Sequence, residues 1–331
     1  MPPARPEPGG PIVVIAGGVG AARFLEGALA AFPPADVVAV VNVGDDLEIA
    51  GLHISPDIDT VTYTLAGLVN PATGWGVRGD RFTALDRLRA LGGSGWFNLG
   101  DTDLGTHLYR SERLRAGAPL SAVTAEIAAA SGLGCAILPA TDGRLRTIVE
   151  TDAGDLPFQE SFVRRRAADI VRGLRFEGAE SAAPAPGVTE AIGRARAIVI
   201  APSNPFLSIG PVLAVPGLRD CLLTTPAPVA AVSPIVGGAA VKGPAAANLR
   251  SLGHDVSALG VARLYADLID VFVIDEQDAA LAAAVEAETG VRCLVTQTLM
   301  HGPAEKRALA ERTVAAALAA TSRGKNDDGD A

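Results

Sequence analysis

Five short apolar runs constrain this chain more than any other feature. They are Pro11–Ala16 (PIVVIA), Asp36–Val41 (DVVAVV), Ala197–Pro202 (AIVIAP), Pro228–Pro234 (PVAAVSP) and Asp270–Asp275 (DVFVID), and most end in Gly, Pro, Asn, Ser or Asp. Continuous apolar runs of this length suit parallel strands covered on both faces. Helical patterns fall between several of them, as at Ala21–Phe32 and Ala262–Leu268. The alternation predicts an α/β fold: a doubly wound, mostly parallel, Rossmann-like sheet with helices on both faces and right-handed crossovers. Ligands of such sheets bind beyond the carboxyl ends of the strands, so the turn after each run is where chemistry is expected.

The middle of the chain reads differently. Helices are expected at Thr60–Val69, with Val61, Leu65 and Leu68 along one stripe, and around Phe82–Leu91 and Leu120–Ser131. The stretch from Cys135 to Arg166 looks like short antiparallel strands joined by Asp-Gly and Ala-Gly turns. Residues 60–189 are therefore expected to form an inserted helical and antiparallel-strand subdomain, with Glu177–Gly187 as a return linker. Residues 11–59 and 190–320 are expected to form the nucleotide-binding α/β core, between disordered tails at 1–10 and 321–331.

Composition narrows the function classes. The chain has 331 residues and a net charge of −9, which argues against a general nucleic-acid binder. Cys135, Cys221 and Cys293 lie far apart and form no metal-binding pair, so a reducing cytoplasm is the expected compartment. No apolar run is long enough to span a bilayer, and no membrane partner is expected.

Several turns carry candidate chemistry. After the first run comes Gly17-Gly18-Val19-Gly20 and then a helical pattern, a setting in which backbone N–H groups cradle phosphate. Gly18 and Gly20 fit the dinucleotide fingerprint, but Arg23 stands where its third glycine would be. After the second run come Asn42, Asp45, Asp46, Asp57 and Asp59, hard oxygen ligands that suit Mg²⁺. Asp57 or Asp59 could equally cap the following helix. On an extended segment the two acids would share a face and reach one ion, whereas on a helix they would diverge. Asp101, Asp103 and His107 follow, the last two on one face if helical. Ser203 and Asn204 close the third run and are read as hydrogen-bonding a phosphate or ribose, without a nucleophile elbow. The loop Gly237–Gly243, with Gly238 and Lys242, suggests a second anion site; Val163–Arg166 is read as a solvated charge run.

Taken in order, GGVGAARFLEG, VVNVGDD, ISPDIDTVTYTL, GWGVRGD, GDTDLGTHLYR, APSNPFLSIGPVLAVPG and VSPIVGGAAVKGPA resemble the 2-phospho-L-lactate transferases of coenzyme F-420 biosynthesis, over about Ile12–Ala320. The resemblance implies a Mg²⁺-dependent transferase, active as a homodimer. Its donor would be a guanosine-diphosphate-linked phospholactate, phosphoenolpyruvate or phosphoglycerate. Its acceptor would be the ribityl hydroxyl of 7,8-didemethyl-8-hydroxy-5-deazariboflavin (Fo), with GMP released. On this view Asp45, Asp57 and Asp59 supply metal ligands, and Asp57, Asp59 and Asp101 are catalytic. Gly17, Gly18, Gly20, Ser203, Asn204, Gly237, Gly238, Lys242 and Gly243 hold the donor. Asp59, Thr102, Asp103, His107 and Trp75 meet Fo, with Trp96 as a second flanking aromatic. Family members usually carry Arg where this chain has Thr102, which leaves the donor acid open or moves the charge to Arg78, Arg81 or Arg110. The Ala/Gly/Arg-rich composition resembles that of GC-rich bacterial chains and favours the enolpyruvyl donor.

Two other readings compete. YvcK-like regulators of the same superfamily bind nucleotide sugars without transferring them. A nicotinamide-dependent dehydrogenase is disfavoured by the broken third glycine and the lack of a hydride-transfer acid/base site.

Overall fold

In the computed structural model, residues 9–165 and 169–320 are described. Residues 1–8 of the tail expected at 1–10, residues 321–331 of the other, and Arg166 of the charge run lie outside them, whereas Gly10 is described and buried. Seven strands form the central sheet: β1 (Ile12–Ala16), β2 (Val37–Val41), β3 (Ala136–Pro139), β4 (Ala197–Ile200), β5 (Val229–Val232), β6 (Val271–Ile274) and β7 (Arg292–Val295). Their order is β7-β6-β5-β4-β1-β2-β3, and every neighbouring pair is parallel. β1, β4, β5 and β6 are buried along their whole length, which explains why they read as unbroken apolar runs.

Two strands escape that reading. Ala136–Pro139 was expected among antiparallel strands but is the parallel edge strand β3, paired with β2 from Val38↔Ala136 to Val41↔Pro139. The core sheet thus draws a strand from the stretch expected to be inserted. β7 closes the other edge; its half-exposed Arg-Cys-Leu-Val carries too weak an apolar signal to stand out. The antiparallel reading holds further on, where Gly154–Pro157, Arg146–Thr151 and Val171–Glu177 form a three-stranded sheet. The expected linker is not loose: Ala182 and Ala185 are buried, and Pro184 bridges to Thr141.

The helices that matter for the site are α1 (Gly18–Ala31), α2 (Pro56–Leu65), α3 (Thr83–Ala90), α4 (Asp101–Arg115), α5 (Leu120–Ala130) and α6 (Pro303–Leu318). α1 buries Ala21, Ala22, Phe24, Leu25 and Ala28 and packs closely on α6; a side chain at Gly27 would meet the Lys306 carbonyl. α2 begins at Pro56, whose missing N–H costs nothing at a helix start. It buries Val61 fully, but the expected stripe ends early: Leu68 lies beyond the helix and is exposed. No single helix among the described residues is long and apolar enough to cross a membrane.

Candidate active site

The chain runs β1, β2, β3 to one side of the sheet and returns at β4 to the other side of β1. The strand order therefore reverses beside β1, and the crevice there is the expected ligand position in such folds. A cleft of about 520 Å³ opens at this place. It is lined by the turn after β1 (Gly17, Gly18, Gly20), the segment after β2 (Asp45, Asp57, Asp59) and the turns after β4 and β5 (Ser203, Asn204, Ser233).

The glycines are required by close approach. A Cβ on Gly20 would lie 2.1 Å from the Pro202 carbonyl oxygen, and one on Gly17 would lie 2.6 Å from Ser208 Cβ and 2.8 Å from Asp57 Oδ2. Gly18 has φ +71°, a left-handed conformation suited to glycine. This packing aims the N-terminus of α1 at the cleft, where the Gly18 N–H meets the Asp57 carboxylate. Gly20→Ala is expected to cost about 1–3 kcal/mol through overpacking, measured as a lower midpoint in urea; an unchanged midpoint would refute the close approach.

Asp57 sits at the second position of α2 and Asp59 two residues on, so the helix turns them apart. Ser55, not either acid, holds the N-cap position of α2, and both acids fall in its first turn, where negative charge suits the helix N-terminus. Asp57 Oδ2 accepts from Asn42 Nδ2 at 2.9 Å, and Asp45 Oδ1 accepts from the same nitrogen at 3.1 Å. The Leu207 carbonyl lies 3.2 Å from that nitrogen too, so three acceptors compete for two amide protons. Burial pushes the Asp57 carboxyl up to about 6, against the pull of Asn42 and the Gly18 N–H, with Asp46 adding to the rise. Burial, then the neighbouring Asp57, holds Asp45 well above the usual carboxylate range. Two buried carboxylates short of donors form a hard-oxygen set that fits Mg²⁺, which commonly takes one or two carboxylates with phosphate oxygens and water.

Asp59 does not join them. Both of its oxygens face the fully buried Arg110 of α4, with Nη1 3.0 Å from Oδ2 and Nη2 against Oδ1. The expected triad of Asp45, Asp57 and Asp59 therefore resolves into a pair and a separate ion pair. Among the described residues no three His, Cys, Asp or Glu side chains gather as metal ligands. Asp103 and His107 also line the cleft, whereas Arg110 stands behind it.

The remaining expected residues divide. Ser203 Oγ donates to the Gly17 carbonyl at 2.9 Å, tying two turns together. Asn204 Oδ1 accepts the N–H groups of Phe206 and Leu207, which fixes the amide and leaves its buried Nδ2 without a partner among the described residues at the cleft wall. Lys242 and Gly243 line the cleft, and Lys242 donates to the Thr73 carbonyl. Burial, then the nearby Arg23, holds the Lys242 ammonium below the usual lysine range. Two cations that repel one another at a cleft wall suit an anionic ligand. Arg23, noted in the sequence only as a missing glycine, is thus part of the wall.

Gly237 and Gly238 are not. They turn the hairpin between Ile235–Val236 and Ala239–Ala240 with φ +58° and +74°, and the Gly237 N–H is held by Asp278. Asp101 faces away as well: its carboxylate accepts the N–H groups of Thr83 and Ala84 and caps α3, and those bonds hold it below the usual carboxylate range. Thr102 is exposed outside the cleft, its N–H held by Asp80. Trp75 lines the cleft, but Trp96 packs edge-on against Phe97 in a small core, and Phe97 is the residue that reaches the wall. Phe158, Phe162 and Val163 add an apolar side, so Val163 is not part of a purely solvated run. Arg164 and Arg165 pair with Glu160 and Asp169.

A Rossmann-like sheet whose switch point gathers a helix N-terminus, a carboxylate pair and two cations defines a protein that handles phosphate-bearing ligands. Residues 12–301 match the family described as 2-phospho-L-lactate transferase CofD. The chain is 46% identical over 295 residues to a phosphoenolpyruvate transferase of Streptomyces griseus, covering 87% of this chain and 92% of that one. It is 37% identical over 305 residues to a 2-phospho-L-lactate transferase of Methanosarcina mazei, covering 92% of this chain and all (100%) of that one. This chain belongs to the 2-phospho-L-lactate transferase family. A solved UPF0052-family protein of Bacillus halodurans shares the fold, with a TM-score of 0.60 at 16% identity over 93% of this chain and 99% of that one.

Proposed function

We propose that this protein transfers a phosphoenolpyruvyl group from a guanosine-diphosphate-linked donor to the ribityl hydroxyl of Fo, releasing GMP, in coenzyme F-420 biosynthesis. The observation that carries the reading is one cleft lined by two chemically distinct sets of groups. The N-terminus of α1, Arg23 and Lys242 suit a diphosphate. Trp75, Phe97, Phe158 and Phe162 suit a flat, largely apolar ring system. The enolpyruvyl donor is favoured because identity to the S. griseus phosphoenolpyruvate transferase, 46%, exceeds the 37% to the M. mazei phospholactate enzyme. A homodimer is carried from the resemblance as part of this reading.

Asp45 and Asp57 would hold Mg²⁺, which neutralises diphosphate charge when bound. The chain's own groups do the rest. Backbone N–H groups of the glycine turn take phosphate oxygens, the Asn204 amide donates to a donor acceptor atom, and Arg23 and Lys242 balance the charge on the leaving GMP. Asp59 and Asp103 stand where the acceptor's hydroxyl would arrive. No covalent intermediate is needed, since phosphoryl transfer rests on positioning and charge stabilisation.

The test is incubation with Fo, Mg²⁺ and each guanylated three-carbon acid, followed by mass spectrometry. The phosphoenolpyruvyl product is expected; no product from any donor removes the reading. Lys242→Ala is expected to raise the donor KM roughly tenfold to a hundredfold, the worth of a charge-assisted hydrogen bond, with little change in kcat. An unchanged KM would take Lys242 out of the donor site.

A further inference from the structure

Two carboxylates reach the Tyr63 end of the cleft, Asp59 from α2 and Asp103 from α4. Their oxygens are not equally available. Both oxygens of Asp59 are engaged by Arg110, a group without exposed surface. The same Arg110 Nη1 lies 3.3 Å from His107 Nδ1. A guanidinium only donates, so Nδ1 serves as acceptor and the ring proton sits on Nε2. That nitrogen faces Asp103 Oδ1 at 3.1 Å, and the Tyr63 hydroxyl donates to the same oxygen at 2.7 Å. Asp103 Oδ1 thus accepts one hydrogen bond, from Tyr63, with His107 Nε2 close by but not aligned to donate, whereas Oδ2 receives no hydrogen bond from the described residues.

We propose that Asp103, through Oδ2, receives the proton of the attacking hydroxyl, and that Tyr63 and His107 are the positioning residues that hold it. The assignment rests on the transferase reading above and moves the role expected of Asp59 to its neighbour. An arriving hydroxyl finds at Asp59 two oxygens committed to a fixed cation, and at Asp103 an oxygen with open lone pairs. In the step, the hydroxyl oxygen bonds to the donor phosphorus distal to guanosine. The bond from that phosphorus to the GMP oxygen breaks, its electron pair leaves with GMP, and the hydroxyl proton passes to Asp103. A fixed carboxylate that holds the nucleophile in line is the main service a loose phosphoryl-transfer transition state asks of such a group.

The surroundings keep Asp103 ionised. The ionisable groups facing Asp103 are Tyr63 and Asp59 of α2 and His107 and Arg110 of its own helix; Asp80 holds its backbone N–H. Burial alone would raise the Asp103 carboxyl, but His107, Tyr63 and Arg110 outweigh it and keep the carboxyl below the usual range. Burial, and then the charges of Asp59 and Asp103, push the Tyr63 phenol far up, so it remains a donor.

Steady-state kinetics and thermal melting of the wild type, Asp103→Asn, Tyr63→Phe and His107→Gln test the proposal. Asp103→Asn is expected to lower kcat by about 10²–10⁴-fold, the usual worth of a positioned base, with donor KM and melting midpoint near wild type. Tyr63→Phe, which removes one donor to Oδ1, is expected to lower kcat about tenfold. His107→Gln keeps a polar group beside Oδ1 and is expected to lower kcat less than Tyr63→Phe does. An Asp103→Asn kcat within about threefold of wild type would overturn the assignment. So would a Tyr63→Phe variant that melts lower but turns over normally. A wild-type protein that yields no product from any donor removes the transferase reading itself, and this assignment with it.

Discussion

Arg110→Met is expected to lower the stability of the folded chain by about 3–5 kcal/mol, because it leaves the Asp59 carboxylate buried without its cation. Urea denaturation of the wild type and the variant measures the loss directly. Arg110→Met combined with Asp59→Leu removes both charges and is expected to recover much of it, since a buried ion pair is often no more stabilising than apolar groups of similar volume. A loss below about 1 kcal/mol in the single variant would mean that the pair is solvated, contrary to its burial. The same reasoning changes what an Asp59 variant can tell. From sequence, Asp59→Asn is expected to abolish transfer with the fold intact. With Arg110 behind it, Asp59→Asn strands a buried guanidinium instead, so lost turnover has to be read beside a melting curve.

Asp57→Asn is expected to do the opposite to the metal-free protein: stabilise it at pH 7.5 by on the order of 1–3 kcal/mol while removing activity. The sign follows from the raised carboxyl. Its folded value is about 6, above the ordinary 3.8, so the folded state binds the proton more tightly than the unfolded chain. Stability from this group is greatest below the unfolded value and is lost as pH rises through about 6. At pH 7.5 the wild type therefore carries the full cost of the buried charge, which Asn does not. Mg²⁺ offsets that cost by binding the ionised pair, so it should raise the melting midpoint of the wild type more at pH 7.5 than at pH 5, and raise that of Asp57→Asn little at either. An equal Mg²⁺ shift in both proteins at pH 7.5 would place the ion elsewhere.

The fold was legible where burial made the signal continuous. β1, β2, β4, β5 and β6 read as strands because apolar residues fill them from end to end. The two edge strands do not, and for different reasons. β3 is short and runs into turn-rich antiparallel sequence, while β7 is only partly covered. The site was legible as a set of turns but not as a set of partners. That Asp57 and Asp59 diverge depends on where α2 begins, and Pro56 at its first position was the clue that a helix, not an extended segment, carries them. That Asp59 answers to Arg110, 51 residues away, is a tertiary fact without any local pattern. The Gly237-Gly238 turn had the opposite problem. Its hairpin signature is in the sequence, but a glycine-rich stretch before a helix has the same signature as an anion loop.

The placement of β1 has a consequence for synthesis. Its partner on one side, β2, emerges within 30 residues, but its partner on the other, β4, begins at Ala197. At typical translation rates of about 5–20 residues per second, the central strand waits roughly 10–40 s with one hydrogen-bonding edge open. Only then can the switch-point crevice exist at all, and α6, which braces α1, emerges later still. During that interval the growing chain offers the unpaired backbone edge of an apolar strand to its neighbours on the polysome, the kind of surface that pairs with other chains. Yield in a cell is therefore expected to depend on elongation speed and on chaperone capacity, independently of how stable the finished molecule is.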